Sequence, residues 1–373
     1  MPTTMMAAAV LERGKPFEMV ETCVPDPGPG DLRIAVKAVG VCHTDLSFRD
    51  IEMGTPLPMV LGHEGAGIVD AIGPGLVGFK VGDRVALSYD SCGHCPNCDE
   101  GAPQYCDEFG LRNIAGVTSA MAPPLQLADG RPLFANFFGQ SSFAPFAIAH
   151  ARNVVKLPDA LPFHLAAPLG CGMQTGAGAV LNTLAGRKGR SIAIFGTGAV
   201  GLAAVMAAKD AGFAPIIAID KIRERLALAL DLGATHAVSG EGIADQIAAI
   251  VPSGGPEGGA ALDAAIDTTG VPALITAAAG ALGSRGCLLV LAVSAPGTTA
   301  EFELSGFLGG KRIQGVIEGD ADPRAFVPLL AEMHLAGRFP HDRLIRTYPF
   351  SSINEACHDM ETGKTVKPVL LFD

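Results

Sequence analysis

Residues 191–220, SIAIFGTGAVGLAAVMAAKDAGFAPIIAID, decide the fold of this chain. An apolar run ends on Gly196, Gly198 and Gly201, spelling G-x-G-x-x-G, and a second apolar run ends on Asp220. In a strand–turn–helix unit the first glycine permits the tight turn and the second lets the backbone approach a pyrophosphate. The third lets helix and strand pack closely, and the helix N-terminus faces the phosphate charge. Asp220 follows nineteen residues after Gly201, where a ribose-binding carboxylate is expected. It suits the two ribose hydroxyls of NAD and would repel a 2′-phosphate, a preference that the nearby Lys221, Arg223 and Arg225 soften.

Working outward, strand-like and helix-like segments alternate from about Leu161 to Leu291. They run 191–196, 199–211, 216–220, 222–231, 264–270 and 287–293, the signature of a parallel, doubly wound sheet. The N-terminal part differs. Residues 32–40 (LRIAVKAVG) alternate like a half-buried strand, and 61–87 are rich in Gly and Val, which suggests a β-rich, barrel-like unit. After Lys311 come a strand at 312–317, a helix around 325–336 and a final strand, PVLLFD. The simplest architecture is a nucleotide domain inserted into a discontinuous second domain.

Composition bounds the function. The 373 residues are 49% hydrophobic and 17% charged, enough for two domains with separate cores. A net charge of −11 with no basic stripe argues against a nucleic-acid partner. Met1 to Leu11 lacks a basic region followed by a long apolar run, so no signal peptide is expected. The longest uncharged stretch, Ile192–Ala208, falls short of a membrane span and carries the glycine motif. A cytoplasmic chain with reduced thiols is expected.

Cys92, Cys95, Cys98 and Cys106 read C-x2-C-x2-C-x7-C. Four soft thiolates close a tetrahedral shell around Zn²⁺ and leave no position for chemistry, so this lobe reads as structural zinc. An Fe–S cluster is the alternative for such a set, whereas disulfides are out of place in a long chain without a secretion signal. Cys42 (Gly-Val-Cys-His-Thr-Asp), His63 (Gly-His-Glu-Gly) and Cys171 (Gly-Cys-Gly) suit a different site. Two thiolates and an imidazole leave a fourth position open, as in a catalytic zinc centre. Spacing alone does not establish this, because a lone cysteine is usually a small buried hydrophobe. Cys23, Cys287 and Cys357 are read that way, and the remaining histidines outside these motifs are given no role.

Together these motifs resemble the zinc-dependent medium-chain alcohol dehydrogenases over essentially the whole chain. They are the Cys42 segment, Gly62–Gly65, the four-cysteine lobe, Gly170–Gly172, the GTGAVG loop with Asp220, and Gly363–Pro368. Within that family the chain is most similar to bacterial aryl-alcohol (benzyl-alcohol) dehydrogenases, through Leu46-Ser47, residues 137–143 (FFGQSSF) and Leu169–Gly172. The resemblance implies a GroES-like catalytic domain over 1–175 and 316–373, with the zinc lobe at 92–106, and a Rossmann NAD-binding domain over 176–315. It implies that Cys42, His63 and Cys171 bind a catalytic zinc, with Glu64 as an occasional ligand. Asp45 would fix the His63 tautomer, and Thr44 would accept the substrate proton. His43 would lie near the pyrophosphate, Thr175 at the nicotinamide, Arg225 near the adenosine ribose and Lys367 on the pyrophosphate. Tyr89, Phe137 and Phe138 would wall the substrate channel. One departure stands out: Ser47 occupies the place of the relay histidine found in several animal and yeast relatives. The expected activity is zinc- and NAD-dependent oxidation of an aromatic or allylic primary alcohol by a homodimer or homotetramer. A glutathione-dependent formaldehyde dehydrogenase and a non-catalytic zinc/NAD module are the alternatives.

Overall fold

The computed structural model describes residues 3–118, 121–187, 189–251 and 262–372. The chain divides into two compact units. One is Met1–Cys171 with Asp322–Leu335 and His341–Asp373, and the other is Gly172–Ala321 with Ala336–Pro340. The first boundary falls four residues before the expected one (Cys171 against 175), and packing explains why. A Cβ on Gly176 would lie 2.0 Å from the Val200 carbonyl oxygen, so the helix Gly172–Gly178 lies backbone to backbone on the helix Ala199–Ala211.

The second unit is a six-stranded parallel sheet. Its strands, in order of appearance, are Ile192–Phe195, Ile216–Ile219, His236–Val238, Leu262–Asp267, Leu282–Val290 and Arg312–Gly315, arranged spatially 3-2-1-4-5-6. This is the doubly wound order with its switch point beside the first strand. The first two strands are buried at every position, because helices cover both faces of such a sheet. The uncharged stretch that includes the glycine motif is thus a short strand followed by the helix Ala199–Ala211. Among the described residues no helix is long and apolar enough to cross a membrane.

The first unit is built on a seven-stranded sheet and a three-stranded one. The central strand, Asp31–Gly40, buries Leu32, Ile34, Val36 and Ala38 in alternation, the period-two pattern legible in the sequence. Its register positions the site. Gly40 pairs with Glu64 on one side and with Val369 of the strand Lys367–Leu371 on the other. Segments 40–42, 62–64 and 367–369 therefore converge at one end of the sheet. Gly40 must lack a side chain, since a Cβ there would come within 1.9 Å of Glu64 Oε2.

Candidate functional site

Cys42 caps the helix His43–Asp50, and the third residue of that helix, Asp45, returns its carboxylate to the Cys42 N–H at 3.0 Å. An acidic side chain three residues into a helix commonly satisfies an orphan donor in this way. The other carboxylate oxygen accepts from Gly62 N–H at 3.1 Å and lies 2.9 Å from His63 Nδ1. Asp45 and His63 are both fully enclosed. With Nδ1 engaged, His63 Nε2 is buried and has no partner. Cys171 enters from a third segment, where Ser88 Oγ donates to the Gly170 carbonyl at 2.6 Å.

The ligand atoms of Cys42, His63, Glu64 and Cys171 all lie within 4.8 Å of one another. A hydrogen bond with Cys171 holds the Cys42 thiol well below its ordinary pKa against the penalty of burial, and His63 and Lys367 act in the same direction. A thiolate and an orphaned imidazole nitrogen are the donors a zinc ion requires, and the residues fit that metal. Thr44 Oγ1 lies 3.6 Å from Cys42 Sγ. His43 is exposed at the start of the same helix, and Ser47 is half-buried within it.

The four-cysteine lobe is a separate, local construction. Cys92 and Cys98 place their sulfurs 3.9 Å apart, and Cys95 and Cys106 theirs 4.0 Å apart. A tetrahedron with Zn–S bonds of about 2.3 Å has S···S edges of about 3.8 Å, so the spacing is that of a mononuclear metal. Backbone N–H groups already point at these sulfurs, from His94 and Cys95 to Cys92, from Asp107 to Cys95 and from Cys92 to Cys106. The Asp107 and Cys98 N–H groups hold the Cys95 thiol at about 7, while burial pushes Cys106 up to about 12.

In the second unit the glycine loop has the form its motif implies. Gly196 takes φ +90°, and a Cβ on Gly201 would come within 1.8 Å of the Gly196 carbonyl oxygen. A Cβ on Gly198 meets nothing within 4 Å, so the loop is open on that side. Asp220 Oδ2 accepts from Thr197 N–H at 2.7 Å and from its hydroxyl at 2.8 Å, and Oδ1 accepts from Ile222 N–H at 2.9 Å. Arg225 is half-buried and Thr175 lies on the helix Gly172–Gly178.

Residues 28–159 match the model of the alcohol dehydrogenase GroES-like domain, and 199–333 match that of the zinc-binding dehydrogenases. A geraniol dehydrogenase from Castellaniella defragrans is 42% identical over 98% of this chain and 97% of its own length. The chain belongs to the zinc-dependent medium-chain alcohol dehydrogenases. Two solved structures each cover 100% of both chains. One is an alcohol dehydrogenase zinc-binding domain protein from Burkholderia ambifaria, with a TM-score of 0.95 and 45% identity. The other is the benzyl alcohol dehydrogenase of Acinetobacter calcoaceticus, with a TM-score of 0.93 and 40% identity. Zinc and a nicotinamide dinucleotide are accordingly the cofactors of this dehydrogenase.

Lys367 and Phe137 make contacts that their expected roles do not include. Lys367 is 2% exposed and donates to both Glu64 oxygens, at 2.8 and 3.0 Å, and to the Val41 carbonyl at 3.2 Å. Although burial opposes its charge, the Glu64 carboxylate raises its pKa. It holds Glu64. Phe137 is fully enclosed and so presents no surface to a substrate. Its ring meets His63 edge-on at 5.5 Å, and the Phe138 ring, 8% exposed, lies 4.6 Å from it. Tyr89, 2% exposed, is 6.1 Å from the Phe109 ring. Phe137 and Phe138 pack against His63, and all three aromatics belong to the core of the first unit.

Gln140, given no role from sequence, clamps the same strand. Its Nε2 donates to the His63 carbonyl at 2.9 Å and the Ser88 carbonyl at 3.2 Å, while Oε1 accepts from Gly65 N–H at 3.0 Å. The available signal was a lone amide within an aromatic-rich run (FFGQSSF), since a buried amide must find partners.

Two predictions follow from this geometry. Metal analysis of active dehydrogenase should give two zincs per chain. Cys171→Ser should abolish turnover with little change in Tm, whereas Cys98→Ser should lower Tm or cause aggregation; one zinc per active chain would sink the assignment. Asp45→Asn should weaken the open-site zinc by about 10–100-fold, read by chelator competition, with the closed-lobe zinc retained.

Proposed function

We propose that this dehydrogenase oxidises benzylic and allylic primary alcohols to aldehydes with NAD. The observation that carries the reading is the buried Cys42–His63–Cys171 cluster with Asp45 behind it. Likeness to proteins named for geraniol, an allylic alcohol, and for benzyl alcohol supports the substrate class.

In this reading Cys42, His63 and Cys171 hold the catalytic zinc. A zinc ion bound there supplies Lewis acidity that brings the pKa of a hydroxyl toward neutrality. Asp45 keeps the proton on His63 Nδ1, so that Nε2 is free to ligate. Thr44 takes the substrate hydroxyl proton. Ser47 has no titratable group at neutral pH to receive it, so the proton leaves through water or another group. A nicotinamide held there would supply the hydride acceptor for the carbinol carbon, so that alcohol plus NAD⁺ would give aldehyde, NADH and one proton. Gly196, Gly198 and Gly201 form the pyrophosphate cradle, Asp220 takes the adenosine ribose, Arg225 flanks it, and Thr175 orients the nicotinamide. His43 supplies a donor near the pyrophosphate, and Lys367 restrains Glu64 so that it is a reserve ligand only.

We also read the dehydrogenase as a homodimer or homotetramer. The edge strand Arg312–Gly315, with Leu304 and Leu308 before it (81% and 92% exposed), is surface that a second copy would cover.

Cofactor choice is tested with Asp220→Ala. NAD binding should weaken about tenfold or more, as hydrogen bonds to a charged group are lost, and NADP should improve relative to wild type. Because Asp220 also holds Thr197 and Ile222, Tm is measured alongside. A wild-type enzyme that prefers NADP would refute the role. For the substrate, kcat/KM for cinnamyl or benzyl alcohol should exceed that for ethanol by at least about 100-fold, which needs about 2.7 kcal/mol of differential transition-state binding. Equal efficiency on ethanol, or formaldehyde turnover only with glutathione, would overturn the aromatic and allylic assignment.

A further inference from the structure

Thr197 and Asp220 are joined more closely than the glycine loop requires. The parallel register pairs Phe195 with Ile219, and Gly196 N–H donates to the Ile219 carbonyl at 2.8 Å. Gly196, at φ +90°, then turns the chain, and Thr197 follows beside Asp220. Both Thr197 donors reach one oxygen of that carboxylate. The backbone N–H meets Oδ2 at 2.7 Å and the hydroxyl meets it at 2.8 Å. Ile222 N–H donates to Oδ1 at 2.9 Å. Thr197 has no exposed surface, whereas Asp220 is half-buried. The turn itself needs no hydroxyl at position 197, because the glycines make it and any residue but proline offers the N–H. A hydroxyl enclosed there must find an acceptor. The acceptor it finds is the carboxylate expected to choose the cofactor.

Little accepting capacity then remains on Asp220. An ionised carboxylate offers about four lone-pair places, two on each oxygen. Thr197 fills both on Oδ2, and Ile222 fills one of those on Oδ1. A single place is left, although an adenosine ribose presents two hydroxyls. We propose that Thr197 is a positioning residue for cofactor choice. Through its two donors it fixes the Asp220 carboxylate and leaves one acceptor place, on Oδ1, for one ribose hydroxyl. This role rests on the NAD reading argued above. Held by three donors, the carboxylate does not swing away from a 2′-phosphate, whose negative charge would lie against it. A side chain at 197 with no donor leaves Oδ2 short of one bond and frees the carboxylate to turn. Its grip on the ribose hydroxyl weakens and the repulsion of a 2′-phosphate is relieved at the same time. The Thr197 hydroxyl therefore controls cofactor preference as well as local packing.

The test is the binding of reduced cofactor to zinc-loaded enzyme without alcohol, followed by the fluorescence of NADH and NADPH. Wild type, Thr197→Val and Thr197→Ser are compared, with Tm measured for each. Thr197→Val should lower the NADH-over-NADPH affinity ratio about tenfold, chiefly through weaker NADH, and Thr197→Ser, which keeps the hydroxyl, should stay within about threefold of wild type. A threonine that served only the fold would lower Tm and move both cofactors alike, so an unchanged ratio in Thr197→Val overturns the proposal. Wild type also decides by itself, should Thr197→Val not fold, with NADH analogues lacking either the 2′- or the 3′-hydroxyl of the adenosine ribose. One analogue should bind about tenfold more weakly than NADH and the other within about threefold of it. Equal affinities for the two analogues overturn the single acceptor place. A wild type that binds NADPH more tightly than NADH refutes the NAD reading and this role with it. A wild type that prefers NADH while Thr197→Val keeps the same ratio refutes the role of Thr197 alone.

Discussion

The Asp45 carboxylate accepts from Cys42 N–H, Gly62 N–H and His63 Nδ1 while having no exposed surface itself. Removing a carboxylate from water costs several kcal/mol unless it is paired and hydrogen-bonded, and here three N–H donors converge on it. The donors come from two segments that meet at the end of neighbouring strands, so the same contacts that satisfy the Asp45 carboxylate also fix Cys42 relative to His63. The tautomer of His63 is settled by the same interaction, leaving Nε2 as the only ring atom available to a metal. A neutral residue at 45 would leave the Cys42 loop, the Gly62 turn and the imidazole each looking for a different partner.

Around that centre the backbone is packed where side chains would not fit. Gly62 takes φ +89°, and a Cβ there would lie 2.5 Å from Phe143 N. Asn136, Phe138 and Ser141 all adopt left-handed backbone at φ 69°, 51° and 53°. For a bulky residue such as Phe138 that conformation costs on the order of 1–3 kcal/mol. What holds it is the contact of its ring with His63 on one side and the Gln140 amide network on the other. The segment 137–143 is thus shaped to grip the His63 strand, which explains why its aromatic rings are buried. The Phe137 ring is held by packing against Phe48 and His63.

The parts of the molecule legible in the sequence are those set by local rules. The G-x-G-x-x-G loop, the helix Ala199–Ala211 and the alternating strand over 32–40 each declare themselves within a dozen residues, because periodicity and backbone space are local properties. The four-cysteine lobe is legible for the same reason. Cys42, His63 and Cys171 needed the family resemblance, since nothing in their spacing says that a sheet register will bring them together. Lys367 was harder still. A lysine near a phosphate-binding enzyme's C-terminus reads naturally as a phosphate ligand, and only the pairing of Val369 with Gly40, itself opposite Glu64, shows that its ammonium is held by a buried carboxylate. Gln140 escaped because an amide's value lies entirely in which backbone groups it finds.

The two cysteine sites differ in what must fold before they exist. In the lobe, all four sulfurs come from residues 92–106, and the N–H groups that stabilise them belong to that stretch and to Asp107 just after it. Metal binding there can drive the local fold, as in other closed thiolate sites. The open site is assembled from 42, 63 and 171, and its geometry depends on the register of Asp31–Gly40 against Glu64–Ile72 and on the Ser88–Gly170 contact. It has no local means of forming, so its affinity for metal reports on the whole first unit. The closed lobe can therefore form within one local segment, whereas the open cluster exists only once the sheet has brought its separate segments together.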